Sequence, residues 1–266
     1  VSQPAVSRQI RDLEDEFGLT LFNRKRDGME LTPDGQTALS HAREILRQAN
    51  ALTEAMNAIA NVGEAKTLNI GYIPTALPGF LADGLRQFRQ QQPDVCVQIY
   101  EMSPSEQERA LREGEIDLAL LGHPCTELQR SYRTKPIRKV PIAVALPETH
   151  RLANRKGIEL AELAEETFLS LHEKQFPGRP ELLRATFGKA GIAPRILLKV
   201  NGLSELLGQV GAGAGVALIP ADVDVLPHHG VRFVDLRKPK VTLISSAVWR
   251  PDAESPQLLD LLDQIS

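Results

Sequence analysis

The sequence predicts an α/β protein in three parts: a short helix-and-hairpin segment, one long helix, and a two-lobed domain of alternating strands and helices. Three observations predict it. Apolar residues recur at helical spacing through the first 17 positions, and again from about residue 34 to 61. Between those runs lies a basic stretch with an Asp27-Gly28 turn signal. After Lys66 the pattern changes to short apolar strands separated by helical stretches, which implies a parallel sheet with crossover helices.

Bulk properties narrow the class. The 266 residues suffice for two or three domains, and 42% hydrophobic with 24% charged residues is a globular composition. No apolar run reaches membrane-spanning length, and the N-terminus has no apolar signal segment. The two cysteines, Cys96 and Cys125, are not at metal-ligand spacing. These features predict a cytoplasmic protein with free thiols and no membrane partner. The net charge of −3 argues against coating by nucleic acid, although it leaves local DNA contact open.

In the first segment Ser2 is a good N-cap, and Pro4 fits a first helical turn. Val6, Ile10, Leu13 and Phe17 form one apolar face, and Gly18 ends the helix. Gln3, Ser7, Arg8 and Arg11 lie near the N-terminal end, off that face. The first 35 residues hold five basic side chains against seven acidic ones, with Asp12, Glu14, Asp15 and Glu16 towards the far end of the helix. A helix entering the major groove tip-first would point those acids away from the phosphates. Leu21 to Arg26, the Asp27-Gly28 turn and Met29 to Thr32 then read as a basic hairpin, the wing of a partial winged helix-turn-helix. On periodicity alone, an ordinary amphipathic helix with a solvated hairpin also stands.

The run SQPAVSRQIRDLEDEFGLTLFNRKRDGMELTPDG resembles the recognition helix and wing of LysR-type transcriptional regulators. The resemblance implies that Gln3, Pro4, Ala5, Ser7 and Arg8 face bases and phosphates. It places Arg24, Lys25 and Arg26 along the backbone or minor groove, and Thr32 near a phosphate. It also implies two helices ahead of this run. Residue 1 is Val rather than Met. The expectation is that a chain starting at Val1, without those helices, holds its recognition helix poorly and binds DNA weakly.

From Asp34 to Asn61, Ala38, Ala42, Ile45, Ala49, Leu52, Met56 and Ile59 make a stripe, with Arg43, Glu44, Arg47, Gln48 and Glu54 off it. About 28 helical residues span roughly 40 Å. A stripe of that length calls for a coiled-coil partner, unless the helix packs on its own domain. The family implies a dimerising linker helix, a homodimer or homotetramer and a palindromic operator. The predicted division is a partial DNA-binding segment (1–35), a linker helix (36–63, with a hinge at Asn61-Val62-Gly63-Glu64) and an effector domain (64–266). Within the last, lobe I covers about 67–145 and 245–266, and lobe II about 146–244.

Strands are predicted at Thr67 to Ile73, Val95 to Glu101, Ile116 to Leu121, Val140 to Leu146, Phe168 to Leu171, Ile196 to Val200, Val216 to Ile219 and Val241 to Trp249. Helices fall between them at Pro78 to Gln91, Glu106 to Glu113, Arg179 to Ala190, Leu203 to Val210 and Pro256 to Leu262. Two lobes joined by two crossing strands fit a periplasmic-binding-protein-like fold, which the family's effector domain shares. In such folds ligands sit beyond the carboxyl ends of the strands, between the lobes. The candidate effector-binding residues there are Thr75, Ala76, Ser103, Pro104, His172, Gly178, Arg179 and Asn201. Their loops lead into helix N-termini, which favour a small carboxylate. Arg179 could pair with it bidentately or be a solvated surface residue, and Thr75 could be a plain cap. The chain is similar to the subgroup controlling aromatic-catabolism and related operons, whose matching loops contact a small carboxylate. It departs at Pro104, where that subgroup often has Thr, and at Gly122-His123, where a charged side chain often stands.

Other motifs carry no chemistry. Gly211, Gly213 and Gly215 close a helix and precede a strand, the reverse of a dinucleotide-binding turn. His228-His229 reads as a solvated pair without metal-ligand neighbours, and Ser204 lacks a nucleophile-elbow setting. No enzyme, cofactor or metal is predicted. The expected function is effector-controlled transcription regulation, with altered DNA bending and RNA polymerase contact as output. A solute-binding protein of the same lobed fold is the alternative.

Overall fold

The structure, a computed structural model, describes residues 3–25, 28–60, 66–122 and 126–266. Ser2, Arg26, the 61–64 hinge, His123 and Cys125 lie outside the described residues. The chain divides into two compact units, Val1–Glu64 and Ala65–Ser266.

The first unit holds α1 (Gln3–Phe17), β1 (Phe22–Lys25), β2 (Gly28–Leu31) and α2 (Pro33–Ala60). Gly18, at a φ of 63°, turns the chain out of α1. The Glu14 carboxylate then accepts the backbone N–H groups of Leu21 (2.7 Å) and Phe22 (3.0 Å), tying the start of the hairpin to the helix. The hairpin pairs Phe22 with Leu31 and Lys25 with Gly28. Gly28 is therefore a strand residue rather than part of the expected Asp27-Gly28 turn, and Asp27 lies outside the described residues. At the end of β2 the Thr32 hydroxyl accepts from Gly35 N–H (2.9 Å) and donates to the Thr20 carbonyl (2.7 Å), capping α2. Gly35 sits so close to the hairpin that a Cβ there would lie 2.0 Å from the Leu21 carbonyl oxygen.

The second unit begins with β3 (Lys66–Tyr72), a π-helical turn at Leu77–Leu81, α3 (Ala82–Gln91), β4 (Val95–Glu101), α4 (Pro104–Glu113), β5 (Leu118–Leu121) and α5 (Thr126–Ser131). The three strands are parallel, in the order β4-β3-β5. Then follow β6 (Arg133–Pro147), β7 (Gly157–Glu159), β8 (Thr167–Leu171), α6 (Arg179–Ala190), β9 (Arg195–Val200), α7 (Leu203–Gly211), β10 (Ala217–Pro220), β11 (Val231–Lys238), β12 (Thr242–Trp249) and α8 (Pro256–Gln264). Strand β12 lies between β5 and β6, so the C-terminal segment completes the first lobe. The first part of β6 pairs with β12, and its second part pairs with β10 and β11. These two antiparallel strands cross between the lobes.

Each lobe has its own core. In the first, α3 and α8 cover one sheet face around Phe88, Leu258 and Leu261, and α4 covers the other with Leu111 and Ile116. Full burial of each such side chain contributes roughly 1.5–3 kcal/mol. In the second lobe, Phe168 and Phe187 meet edge to face at 4.9 Å, and α7 seats Leu206 and Val210 in a neighbouring cluster.

Several elements differ from the sequence expectation. Strand β6 begins at Arg133, seven residues before the expected Val140. Its first half carries alternating, partly exposed side chains rather than a continuous apolar run. Strands β7 and β11 and helix α5 had no clear signal. The expected helix from Pro78 opens as a π-turn, and Ile116 precedes its strand rather than starting it. His228 packs edge to face on Phe233 at 4.6 Å, so it is not the solvated residue expected.

Candidate functional site

In the first unit the expected DNA-facing residues gather on one helix and one hairpin. Gln3, Pro4 and Ala5 occupy the first turn of α1, with Ser7 and Arg8 in the next; Arg8 is exposed. Arg11 donates from Nε to the Ser7 carbonyl at 3.2 Å. Arg24 and Lys25 stand on β1. The Thr32 hydroxyl spends its one proton on the Thr20 carbonyl, so its role in the fold is to join hairpin and helix. On α2, Ile45, Leu52 and Met56 are at least half exposed, at 68%, 62% and 50%. Their spacings of seven and four residues put them on one helical face.

In the second unit the carboxyl ends of the strands converge on a cleft between the lobes, about 660 Å³ counted out through its open mouth. The first lobe lines it with Ile73, Pro74 and Thr75 after β3, Pro104 at the start of α4, and Gly122 after β5. The second lobe contributes Leu171, the Phe176-Pro177-Gly178-Arg179 turn, Leu182, Leu203, Pro220 and Val223, and the crossing strand adds Leu243. Among these, Thr75 and Arg179 alone carry polar side chains.

Arg179 is the chemical centre of the cleft. Gly178, at a φ of 83°, turns the chain so that α6 starts at Arg179 with its side chain directed inward. The residue is only 8% exposed. It is therefore not the solvated arginine that its loop position allowed. One terminal nitrogen donates to the Leu218 carbonyl, while Nε is buried without a hydrogen-bond partner. No carboxylate offsets its charge among the described residues, and burial alone pushes its pKa down to about 10.

The other expected residues divide. Thr75 is buried at the cleft wall and caps no helix, since the following turn begins at Ala76. Ala76 belongs to the first-lobe core rather than the lining. Pro104 lines the cleft, whereas Ser103 is engaged as the N-cap of α4. Its hydroxyl accepts from Glu106 N–H, and the Glu106 carboxylate accepts from the Ser103 N–H (2.8 Å) and hydroxyl (2.7 Å). Those bonds hold the Glu106 carboxyl below its ordinary pKa. His172 and Asn201 stand on neighbouring loops outside the lining. Nδ1 of His172 accepts from Lys174 N–H, and Asn201 N–H donates to Glu205.

Sequence reasoning missed Arg138. From β6 it pairs with Asp222 of the second lobe at 2.8 Å and lies over the first-lobe ring of Phe80 at 5.5 Å. The signal was weak, because nothing marks Arg138 within the polar run Arg133 to Lys139. Gly211 and Gly215 close onto the carbonyls of His229 and Thr167. They serve the turn between α7 and β10.

A helix-and-hairpin unit, followed by a lobed unit with an open-mouthed cleft, is the architecture of a bacterial transcription regulator. Residues 61–266 match the LysR substrate binding domain, and residues 1–36 match the bacterial regulatory helix-turn-helix protein, lysR family. The chain belongs to the LysR family. It is 30% identical over 263 residues to the Hca operon transcriptional activator HcaR of Escherichia coli, covering 98% of this chain and 87% of that protein. The full-length structure of CbnR complexed with its target DNA superposes with a TM-score of 0.69 at 26% identity, over 100% of this chain and 90% of that one. The BenM effector binding domain with its effector benzoate gives 0.62 at 25% identity, over 75% and 90%. Among the described residues, no helix is long and apolar enough to cross a membrane.

Proposed function

We propose that this chain is a DNA-binding transcription regulator controlled by a small carboxylate bound between the two lobes. The carrying observation is Arg179: a buried cation without a carboxylate partner, facing an otherwise apolar cleft. Burying an unpaired charge is unfavourable by several kcal/mol, and an entering anion relieves it. The likeness to a BenM domain holding benzoate supports the same reading.

In this reading residues 1–35 read the operator, residues 36–63 pair two copies, and residues 64–266 sense the effector. Gln3, Pro4, Ala5, Ser7 and Arg8 meet base edges and phosphates, while Arg24, Lys25, Arg26 and Thr32 follow the backbone. CbnR, a relative in fold and sequence, has been solved on its target DNA. The exposed Ile45, Leu52 and Met56 face supports pairing of α2 with a second copy. Two copies, or four, would set two recognition helices on a palindromic site. Effector binding would twist the lobes about β6 and β12 and so alter DNA bending and polymerase contact. The protein acts in the cytoplasm and carries out no turnover. The helix-turn-helix match over residues 1–36 favours this reading over a solute-binding protein.

The test is fluorescence anisotropy with operator DNA across a salt series, with and without small carboxylates. The reading expects salt-dependent binding and a footprint that a carboxylate changes. A footprint unmoved by every carboxylate that binds the cleft would remove the control step.

A further inference from the structure

The two ends of the cleft differ in what they can offer an anion. On the second lobe, α6 and α7 both begin at residues that line the cleft, Arg179 and Leu203. Their N-caps, Gly178 and Gly202, carry no capping side chain. At α6 the Arg179 N–H already donates to the Phe176 carbonyl and Pro180 has no N–H, which leaves the start of α7 as the uncapped one. The buried Arg179 guanidinium, with its unpartnered Nε, lies at the same end. The cation and the start of α7 together make a seat for one carboxylate.

On the first lobe, the corresponding start of α4 is closed. Pro104 has no N–H to give. Ser105 N–H donates to the Gln175 carbonyl of the second lobe at 3.2 Å, and Gln107 N–H donates to the Ser103 carbonyl at 2.9 Å. Glu106 N–H is taken by the Ser103 hydroxyl, and the Glu106 carboxylate places a negative charge on that turn. Between the two ends the walls are Ile73, Leu171, Leu182, Val223 and Leu243, with the Thr75 hydroxyl as the one neutral polar side chain.

We infer that the cleft selects monoanions: one carboxylate held by the second lobe at the Arg179 guanidinium and the start of α7, and an apolar body along the remaining wall, with dicarboxylates excluded. This rests on the reading of the cleft as the effector site. A second carboxylate at the first-lobe end of the cleft would find no cation among the lining residues, and the N–H groups of the first turn of α4 are already taken. Leaving such a charge without partners disfavours the dianion by at least about tenfold in affinity.

The experiment is calorimetric titration of the full chain with matched pairs: benzoate and terephthalate, hexanoate and adipate, octanoate and suberate. Benzamide and hexanamide serve as uncharged counterparts. The inference expects binding by monocarboxylates, dianions at least about tenfold weaker within each pair, and no binding by amides. Arg179→Gln and Arg179→Met should each weaken the monocarboxylates about 100-fold or more while circular dichroism stays native. Dianions that bind as tightly as their partners would overturn the inference and leave the carboxylate-effector reading standing. Monocarboxylate affinity unchanged in both folded variants would overturn the proposed seat. Silence from every acid in the wild-type chain would sink the carboxylate reading itself, and the inference with it.

Discussion

Replacing Arg179 by Met should stabilise the ligand-free protein. A guanidinium whose pKa burial pushes down to about 10 carries an unfavourable term of about 3 kcal/mol, at about 1.4 kcal/mol for each pH unit. The sign follows from linkage. The group is a base with a depressed pKa, so the protonated form is the one disfavoured. The penalty is complete at neutral pH and lifts only as pH rises above about 10. Met keeps the aliphatic stem that packs the wall and removes the charge. It also strips the Leu218 carbonyl of its donor, a loss of about 1–2 kcal/mol. The net gain is about 1–2 kcal/mol. For a unit of this size that raises Tm by roughly 2–8 °C. Differential scanning calorimetry at pH 7 without carboxylate measures it, and a bound monocarboxylate should narrow or reverse the gap by stabilising only the wild type. A variant that melts several degrees lower in the absence of any acid would refute the reasoning, since Arg179 would then be a structural strut.

Three further outcomes follow from other parts of the molecule. Gly35→Ala drives a methyl against the Leu21 carbonyl, 2.0 Å away without relaxation. It should lower operator affinity at least about tenfold by shifting the hairpin against α2, with carboxylate affinity unchanged by calorimetry. Leu52→Glu puts a charge in the middle of the exposed α2 face, and sedimentation should show self-association weakened at least about tenfold. Burial raises the Asp117 carboxyl pKa, against the opposing effects of the Asn69 N–H bond and Arg250. Its contribution to stability is therefore present at low pH and lost as pH rises through the raised value. Asp117→Asn keeps an acceptor for Asn69 and should gain on the wild type in urea midpoint between pH 4 and pH 7; an equal offset at both ends would contradict this.

The fold was legible wherever periodicity was strong. The apolar spacing in α1 and α2 and the buried runs of β3, β5 and β8 announce themselves. Strand β11 and the first half of β6 did not, because Arg232, Arg237, Arg133 and Lys139 break their apolar runs with exposed side chains. The candidate site was half legible. Loops after strand ends pointed to the cleft between the lobes, and Gly178-Arg179 to its charged corner. That Ser103 is consumed as a cap, or that Glu14 holds the hairpin N–H groups, depends on hydrogen bonds. Residue type alone does not state them. Arg138 and Asp222 lie 84 positions apart, and no local pattern links them.

The order in which the strands are laid down has a bearing on biosynthesis. Strand β12 joins β5 to β6 in the sheet of the first lobe, and α8 seals that lobe's core. As the chain emerges from the ribosome, the lobe that starts first must wait for Thr242 to Ser266 before its sheet closes. Until then the buried edge of β5, Leu118 to Leu121, has no neighbour on that side. Losing a short C-terminal piece would therefore damage the first lobe and leave most strands of the second in place. The nascent protein is most exposed to aggregation in the interval before β12 and α8 emerge.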